Sequence, residues 1–251
     1  MSNFYDPNLR TALPATNNAS SAVLNRNFTG WTSHIEVNLR NRESKDDDCY
    51  QRGDFKKLLI ACQEHARDHQ KPQEGDQMVM LVHPFYLHLS HMHYIETDEI
   101  RREAEAYLDA LLAFLSLRSN RSPFGVVALE TPHHYAAATS ILVEVGLIDQ
   151  VIFTRYDSGL PLHPEELYLF KDNELFFGGG YNEYCFETAV SAMTARKSSG
   201  RIHAIRELVI QSPRSNVASL WYEQVHGVDP RNVVSLEQVV QMLGLLETTD
   251  T

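Results

Sequence analysis

Short, continuously apolar runs alternate with longer helical patterns through most of this 251-residue chain. Such runs are typical of strands buried on both faces, and their alternation with helices favours parallel strands joined by right-handed crossovers. The predicted strands are 78–82, 124–129, 151–154, one or two in 166–170 and 174–177, 207–210 and 233–234. The predicted helices are 54–69, 98–117, 135–145, 186–193, 215–225 and 236–244. This pattern predicts an α/β fold with a three-layer, mostly parallel sheet and helices on both faces.

The chain before residue 77 differs in composition from the rest. Residues 1–30 are rich in Asn, Ser, Thr and Ala, and predict a flexible N-terminal arm. Residues 31–76 predict an N-terminal extension with one helix, which places Cys62 on its apolar face as a buried thiol. Residues 77–251 are the predicted α/β domain.

Charge and cysteine content exclude several classes of protein. The formal net charge of −11 disfavours binding to nucleic acid, whose phosphates the surface would repel. No apolar run reaches the roughly 20 residues that span a bilayer, and no secretory signal is recognisable. The three cysteines are too few for a disulfide framework, so we expect a cytoplasmic, reducing environment. The expected partner is a small-molecule ligand, with a homo-oligomer as a further possibility.

Chemically active side chains gather directly after the predicted strands. In open α/β sheets, ligands bind beyond the carboxyl ends of the strands, so these positions are candidates for a site. They are His83 after the first strand, Glu130, His133 and His134 after the second, Arg155 and Asp157 after the third, and the glycine turn 178–180 with Cys185 after 174–177. Asp157 can instead be a structural residue of a turn, because the sequence Asp-Ser-Gly is typical of turns.

Cys185 stands in the first turn of a predicted helix, immediately after the glycine turn. Unpaired N–H groups and the helix dipole favour a thiolate at such a position, and thus a nucleophile. The backbone of Gly179, Gly180 and Tyr181 can then bind substrate and stabilise an oxyanion. The alternative is that Cys185 is a small core residue, since Cys185, Ala189 and Met193 fall on one helical face.

A nucleophilic cysteine needs a base and groups that orient the substrate. The candidates for the base are His83, Glu130 and His134. His134 is also a candidate for binding substrate, and Arg155 for holding a substrate carboxylate. No cofactor is predicted, because the consecutive glycines 178–180 come with neither a Walker lysine nor a Gly-x-Gly-x-x-Gly motif. The alternative is a divalent transition metal such as zinc, bound by His83, Glu130 and His133 or His134. A second possible ligand set is His88, His91 and His93.

The segment Gly180-Tyr-Asn-Glu-Tyr-Cys185-Phe-Glu-Thr-Ala-Val-Ser-Ala192 resembles the nucleophile motif of the isochorismatase-like cysteine hydrolases. The resemblance extends loosely over 77–244, and it implies a three-layer α/β domain in which Cys185 is the nucleophile. Where that family has a catalytic Asp, this chain has His83, and where the family has a Lys, it has Thr154 or Arg155.

Together these features predict a Rossmann-like or isochorismatase-like domain with a small-molecule pocket at the strand ends. The leading hypothesis is a cysteine-dependent hydrolase of a carbonyl or amide substrate. The alternatives are a non-catalytic binding or assembly protein on the same fold and a metal-dependent hydrolase using the His/Glu cluster.

Overall fold

A six-stranded, all-parallel sheet forms the centre of the protein. The computed structural model describes residues 53–69, 75–86, 98–117, 124–155, 158–196, 201–210 and 227–245. The strands are β1 (Gln77–Val82), β2 (Phe124–Glu130), β3 (Gln150–Phe153), β4 (Glu174–Gly179), β5 (Ile202–Ile205) and β6 (Val233–Val234). Helices pack on this sheet, and the three-layer α/β architecture predicted from the alternating pattern is confirmed.

Helices connect most of the strands. They are α1 (Gly53–His69), α2 (Asp98–Ser116), α3 (Pro132–His134), α4 (Ser140–Glu144), α5 (Glu187–Thr194) and α6 (Leu236–Met242). Two π-helical turns, Tyr135–Thr139 and Asn182–Phe186, lead into α4 and α5. Short 3-10 helices lie at Pro164–Phe170, Arg206–Leu208 and Pro230–Asn232.

Local sequence signals account for several helix ends. Thr131 caps α3 because its side chain accepts a hydrogen bond from the His134 N–H. Ser235 and Gln238 form a reciprocal capping box at the start of α6. Gly146 follows α4 with a φ of +74°, which is the left-handed stop that the glycine predicts.

The core forms because the central strands bury side chains on both faces. Every residue of β2 is buried, and so are all residues of β1 and β4 except the first of each. Helix α1 packs on the segment from Pro132 to Glu144, and α2 packs on Arg206–Leu208 and α6. Cys62 of α1 is buried in the same hydrophobic core as the strands.

The predicted strand at 166–170 is wrong, because Pro164–Phe170 form a 3-10 helix. Leu167 and Phe170 are buried, whereas the two residues between them, Tyr168 and Leu169, are exposed. This spacing of three matches the three residues per turn of a 3-10 helix, not the period of two of a strand.

The predicted strand at 207–210 is displaced along the chain. Strand β5 ends at Ile205, and Arg206–Leu208 turn away from the sheet. Glu207 uses its Oε2 to accept a hydrogen bond of 2.8 Å from the Leu236 N–H at the start of α6. Within the predicted range, Ile210 alone pairs with the sheet region, in an isolated bridge to Tyr181.

The strand order is β3-β2-β1-β4-β5-β6, so the chain changes direction across the sheet between β1 and β4. This is the order of the doubly wound Rossmann folds, whose ligands bind in the crevice where the order reverses.

Among the described helices, none is both long and apolar enough to cross a membrane. The predicted arm 1–30, the helix 215–225 and residues His88, His91, His93 and Asp157 lie outside the described residues.

Candidate functional site

The carboxyl ends of β1 and β4 lie side by side at the point where the strand order reverses. Val82, the last residue of β1, is in register with Gly179, the last residue of β4. His83 follows β1, and the turn of Gly180 and Tyr181 follows β4. The topology therefore brings two of the predicted site segments to one edge of the sheet.

His83 is held in an unusual backbone conformation. Its φ is +43°, and among the described residues it is the one non-glycine residue with a positive φ. The ring is fully buried, and its Nε2 is hydrogen-bonded to Thr154 Oγ1 at 2.9 Å. A left-handed conformation costs an L-residue about 1–2 kcal/mol, so surrounding contacts must hold His83 in place. The sequence did not single out Thr154 as the residue that orients this ring.

The Cys185 thiol is enclosed by the glycine turn. Cys185 lies in the π-helical turn before α5, is 2 % exposed, and its Sγ accepts a hydrogen bond of 3.3 Å from the Tyr181 N–H. A β-carbon on Gly180 would be 2.9 Å from this Sγ, and one on Gly159 would be 2.1 Å from the Cys185 carbonyl oxygen. Only glycine fits at these two positions, so the loop after β3 and the turn after β4 both close on Cys185.

Glu130 is buried at the end of β2 and is well supplied with hydrogen-bond donors. Its Oε1 accepts from the Thr131 N–H at 2.9 Å, and its Oε2 accepts from the Thr139 hydroxyl at 2.8 Å. His134 Nδ1 lies 3.4 Å from the same Oε1. The π-helical turn Tyr135–Thr139 carries Thr139 beneath the carboxylate. The carboxylate is thus held by two donors, with the His134 ring beside it.

Tyr86 packs its ring among the side chains of three strand ends. The ring is edge-on to His134 at 5.4 Å and to Tyr181 at 5.7 Å between centroids. It also lies 6.0 Å from the ring of His83, which is 6.3 Å from that of His134. The site is therefore a single buried cluster of aromatic and imidazole rings, built from the ends of β1, β2 and β4.

Tyr107 enters this cluster from helix α2. Its hydroxyl donates a hydrogen bond of 2.8 Å to the carbonyl oxygen of Pro84, next to His83. Burial raises the pKa of Tyr107, and the negative charges of Glu130 and of the Cys185 thiolate raise that pKa further. Burial likewise raises the pKa of Tyr181, with the charge of Cys185 as the second cause. Tyr107, Glu130 and Cys185 thus interact through one water-poor region.

Tyr107 and Tyr86 are members of the site that were not identified as functional from the sequence. Tyr107 belongs to the apolar stripe of α2, where an aromatic residue predicts only a core position. Tyr86 follows His83 in a segment rich in histidine and aromatic residues, a composition that does not by itself indicate which residue is functional.

Arg155 differs from the other predicted residues because its side chain is exposed. Its backbone closes the turn after β3, where the Arg155 N–H donates to the Leu160 carbonyl oxygen at 2.7 Å. Among the predicted side chains that the structure describes, His83, Glu130, His134, Tyr181 and Cys185 are buried and His133 is half-buried, whereas Arg155 is exposed.

A metal centre is not evident in the part of the chain that the structure describes, where no three His, Cys, Asp or Glu side chains are grouped to hold an ion. His83 and Glu130 instead bond to threonine hydroxyls. Comparison of the chain with protein-family models, with curated proteins and with solved structures found no match.

Proposed function

We propose that this protein is a cysteine-dependent hydrolase of a small carbonyl or amide compound, with Cys185 as its nucleophile. The observation that carries this proposal is the environment of Sγ, which lies at the switch between β1 and β4 and accepts a backbone N–H. A donated N–H stabilises a thiolate relative to a thiol. An isochorismatase-like organisation and a reducing, cytoplasmic setting are parts of the same proposal.

In the proposed reaction, His83 takes the proton of the Cys185 thiol as Sγ attacks the carbonyl carbon of the substrate. The Tyr181 N–H, which leaves Sγ once the sulfur is bonded to carbon, and the Gly180 N–H stabilise the oxyanion of the tetrahedral intermediate. The intermediate collapses to a thioester, and the amine or alcohol leaves with the proton from His83. Water then attacks the thioester and gives a proton to His83. The second tetrahedral intermediate expels the Cys185 sulfur, which takes this proton back from His83 as the acid product leaves.

The remaining residues are assigned to orientation. Thr154 holds the His83 ring through the 2.9 Å hydrogen bond, and Glu130 orients His134, whose Nδ1 lies 3.4 Å from Oε1 within the same buried cluster. His134 is the second residue able to exchange a proton with a bound ligand. Arg155, which is exposed, is assigned to attract an acidic group of the substrate.

The second candidate is a non-catalytic binding protein on the same fold. It is favoured by the 2 % exposure of Cys185, because burial opposes formation of a thiolate. In that case the cluster binds a ligand without covalent chemistry, and Cys185 is a packing residue beneath it.

Alkylation by iodoacetamide at neutral pH, with the modified cysteines mapped by mass spectrometry, separates the two candidates. Cys62 is the internal control, because it is nearly as buried, at 4 %, and burial raises its pKa to about 11. An activated Cys185 should react at least about tenfold faster than Cys62, since the thiolate is the reactive form. A Cys185→Ser variant identifies the modified peptide.

Equal or slower alkylation of Cys185 overturns the hydrolase proposal and leaves the binding protein. If Cys185 reacts faster, a panel of small amides and esters is tested with the wild type and Cys185→Ser. Hydrolysis by the wild type that the variant lacks is the expected result.

A further inference from the structure

Helix α1 is joined by three polar contacts to the segment that follows Glu130. Cys62 Sγ donates to the Pro132 carbonyl oxygen at 3.4 Å. His65 Nδ1 is hydrogen-bonded to the Tyr135 hydroxyl at 2.7 Å, and His65 Nε2 lies 3.1 Å from Glu144 Oε1. One side of the helix therefore contacts both ends of the segment from α3 to α4.

His65 satisfies both contacts as a neutral ring. In the tautomer with its proton on Nε2, the ring accepts from the Tyr135 hydroxyl at Nδ1 and donates to the Glu144 carboxylate. His69 stacks on the His65 ring at 4.3 Å, and its Nδ1 is bonded to the His65 carbonyl oxygen at 2.8 Å. The His65 ring is thus held between its own helix and the segment opposite.

Tyr135 connects these contacts to the site. It is the residue after His134, it is buried, and its ring is edge-on to Phe153 of β3 at 5.3 Å. Its N–H donates to the Thr131 carbonyl oxygen at 2.9 Å, in the turn where Thr131 also bonds the His134 N–H. A displacement of Tyr135 would therefore move His134 relative to Glu130.

We propose that His65 is a positioning residue for the site. By holding Tyr135 and Glu144, it fixes the turn Thr131–Tyr135 and with it the orientation of His134 against Glu130 and Tyr86. This inference rests on the proposed function for the claim that His134 serves a ligand. The helix that precedes the α/β domain is then part of the machinery of the site, because small displacements of orienting groups weaken catalysis and binding strongly.

The variant His65→Ala removes both contacts, and His65→Gln restores them, since its amide offers one acceptor and one donor. Arg67→Ala is the matched control on the same helix, because Arg67 is exposed and its ion pair is with its neighbour Asp68, at 3.8 Å. Two readouts are used on the full chain: the NMR shifts of the His134 ring, which sense the ring current of Tyr86, and the alkylation rate of Cys62. Circular dichroism confirms that each variant is folded.

In His65→Ala we expect the His134 ring signals to move, and Cys62 to be alkylated about tenfold faster as α1 opens more often. His65→Gln should return both readouts to the wild-type values, and Arg67→Ala should change neither. Glu144→Ala, which removes only the outer contact, should move the His134 signals in the same direction by less. If His65→Ala does not fold, the proposal is tested with Glu144→Ala instead.

Unchanged His134 signals in a folded variant whose Cys62 has become reactive would overturn the proposal, because α1 would then dock without positioning the site. Unchanged behaviour of both readouts would overturn it as well. A failure of Cys185 to react faster than Cys62 in the wild type bears on the hydrolase proposal alone, since neither readout of His65 uses Cys185.

Discussion

Because Gly180 has no side chain, the Cys185 sulfur can pack directly against its α-carbon side, where a β-carbon would otherwise lie. A β-carbon at position 180 would be 2.9 Å from Sγ, closer than carbon and sulfur atoms approach without a shift, and the φ of Gly180 is +69°. The glycine turn after β4 is therefore matched to the cysteine that follows it by shape as well as by backbone conformation.

Gly180→Ala should destabilise the protein and slow the alkylation of Cys185. Gly244 is a matched control, because its φ is +64° and a β-carbon there would have nothing within 4 Å. The left-handed backbone costs each alanine variant about 1 kcal/mol. Any additional loss in Gly180→Ala therefore reports the crowding of the new β-carbon against Sγ, the Val82 carbonyl oxygen at 3.3 Å and the Phe186 nitrogen at 3.4 Å. The free energies of unfolding are measured in urea. Equal losses in both variants would mean that Sγ and the neighbouring backbone move aside at no cost.

Thr154→Val should lower the free energy of unfolding by about 1–3 kcal/mol, because it leaves the buried His83 Nε2 without the hydroxyl at 2.9 Å. Valine has nearly the shape of threonine, so packing is preserved. Thr154→Ser keeps the hydroxyl and should retain most of the stability. Urea unfolding of the three proteins tests this, and a valine variant as stable as the wild type would show that the bond contributes little.

Thr139→Val should likewise destabilise the protein, by about 1–3 kcal/mol, because the buried Glu130 Oε2 loses its 2.8 Å donor. Thr139→Ser provides the donor again and should recover the loss. The measurement is thermal unfolding followed by circular dichroism. Identical melting of the valine variant and the wild type would exclude an important role for this donor.

Stability in acid should depend on Glu174 at the opposite end of the sheet. Burial would raise its pKa, but hydrogen bonds from Gln77 at 3.0 Å and His203 at 2.9 Å outweigh burial and hold the pKa below its ordinary 4.5. The folded state therefore favours the carboxylate. This contribution is complete above about pH 4.5 and is lost as the pH falls through the folded pKa.

Glu174→Gln removes this titration, so the variant should be less stable than the wild type at neutral pH and lose less stability on acidification. Urea unfolding between neutral pH and about pH 3 measures both curves. Parallel curves would show that other carboxylates dominate the acid response.

Local patterns in the sequence predicted most of the fold. The runs at 78–82 and 124–129 are strands because continuous apolar runs suit a sheet covered on both faces, and the stripe at 98–117 is a helix. The errors came from short apolar stretches whose outcome depends on distant partners. Phe170 and Leu167 face the core from a 3-10 helix, and Glu207 turns away to cap α6.

The sequence by itself determined the alternation of strands and helices, the glycine turn before Cys185 and the placing of polar residues after the strands, because these follow from periodicity and backbone preferences between neighbours. The tertiary structure decided which of those residues meet. Strand order placed His83 beside the turn that holds Cys185, and helix packing brought Tyr107 to Pro84 and His65 to Tyr135. Such contacts join residues far apart in the chain, and only the close packing of side chains around the sheet selects them.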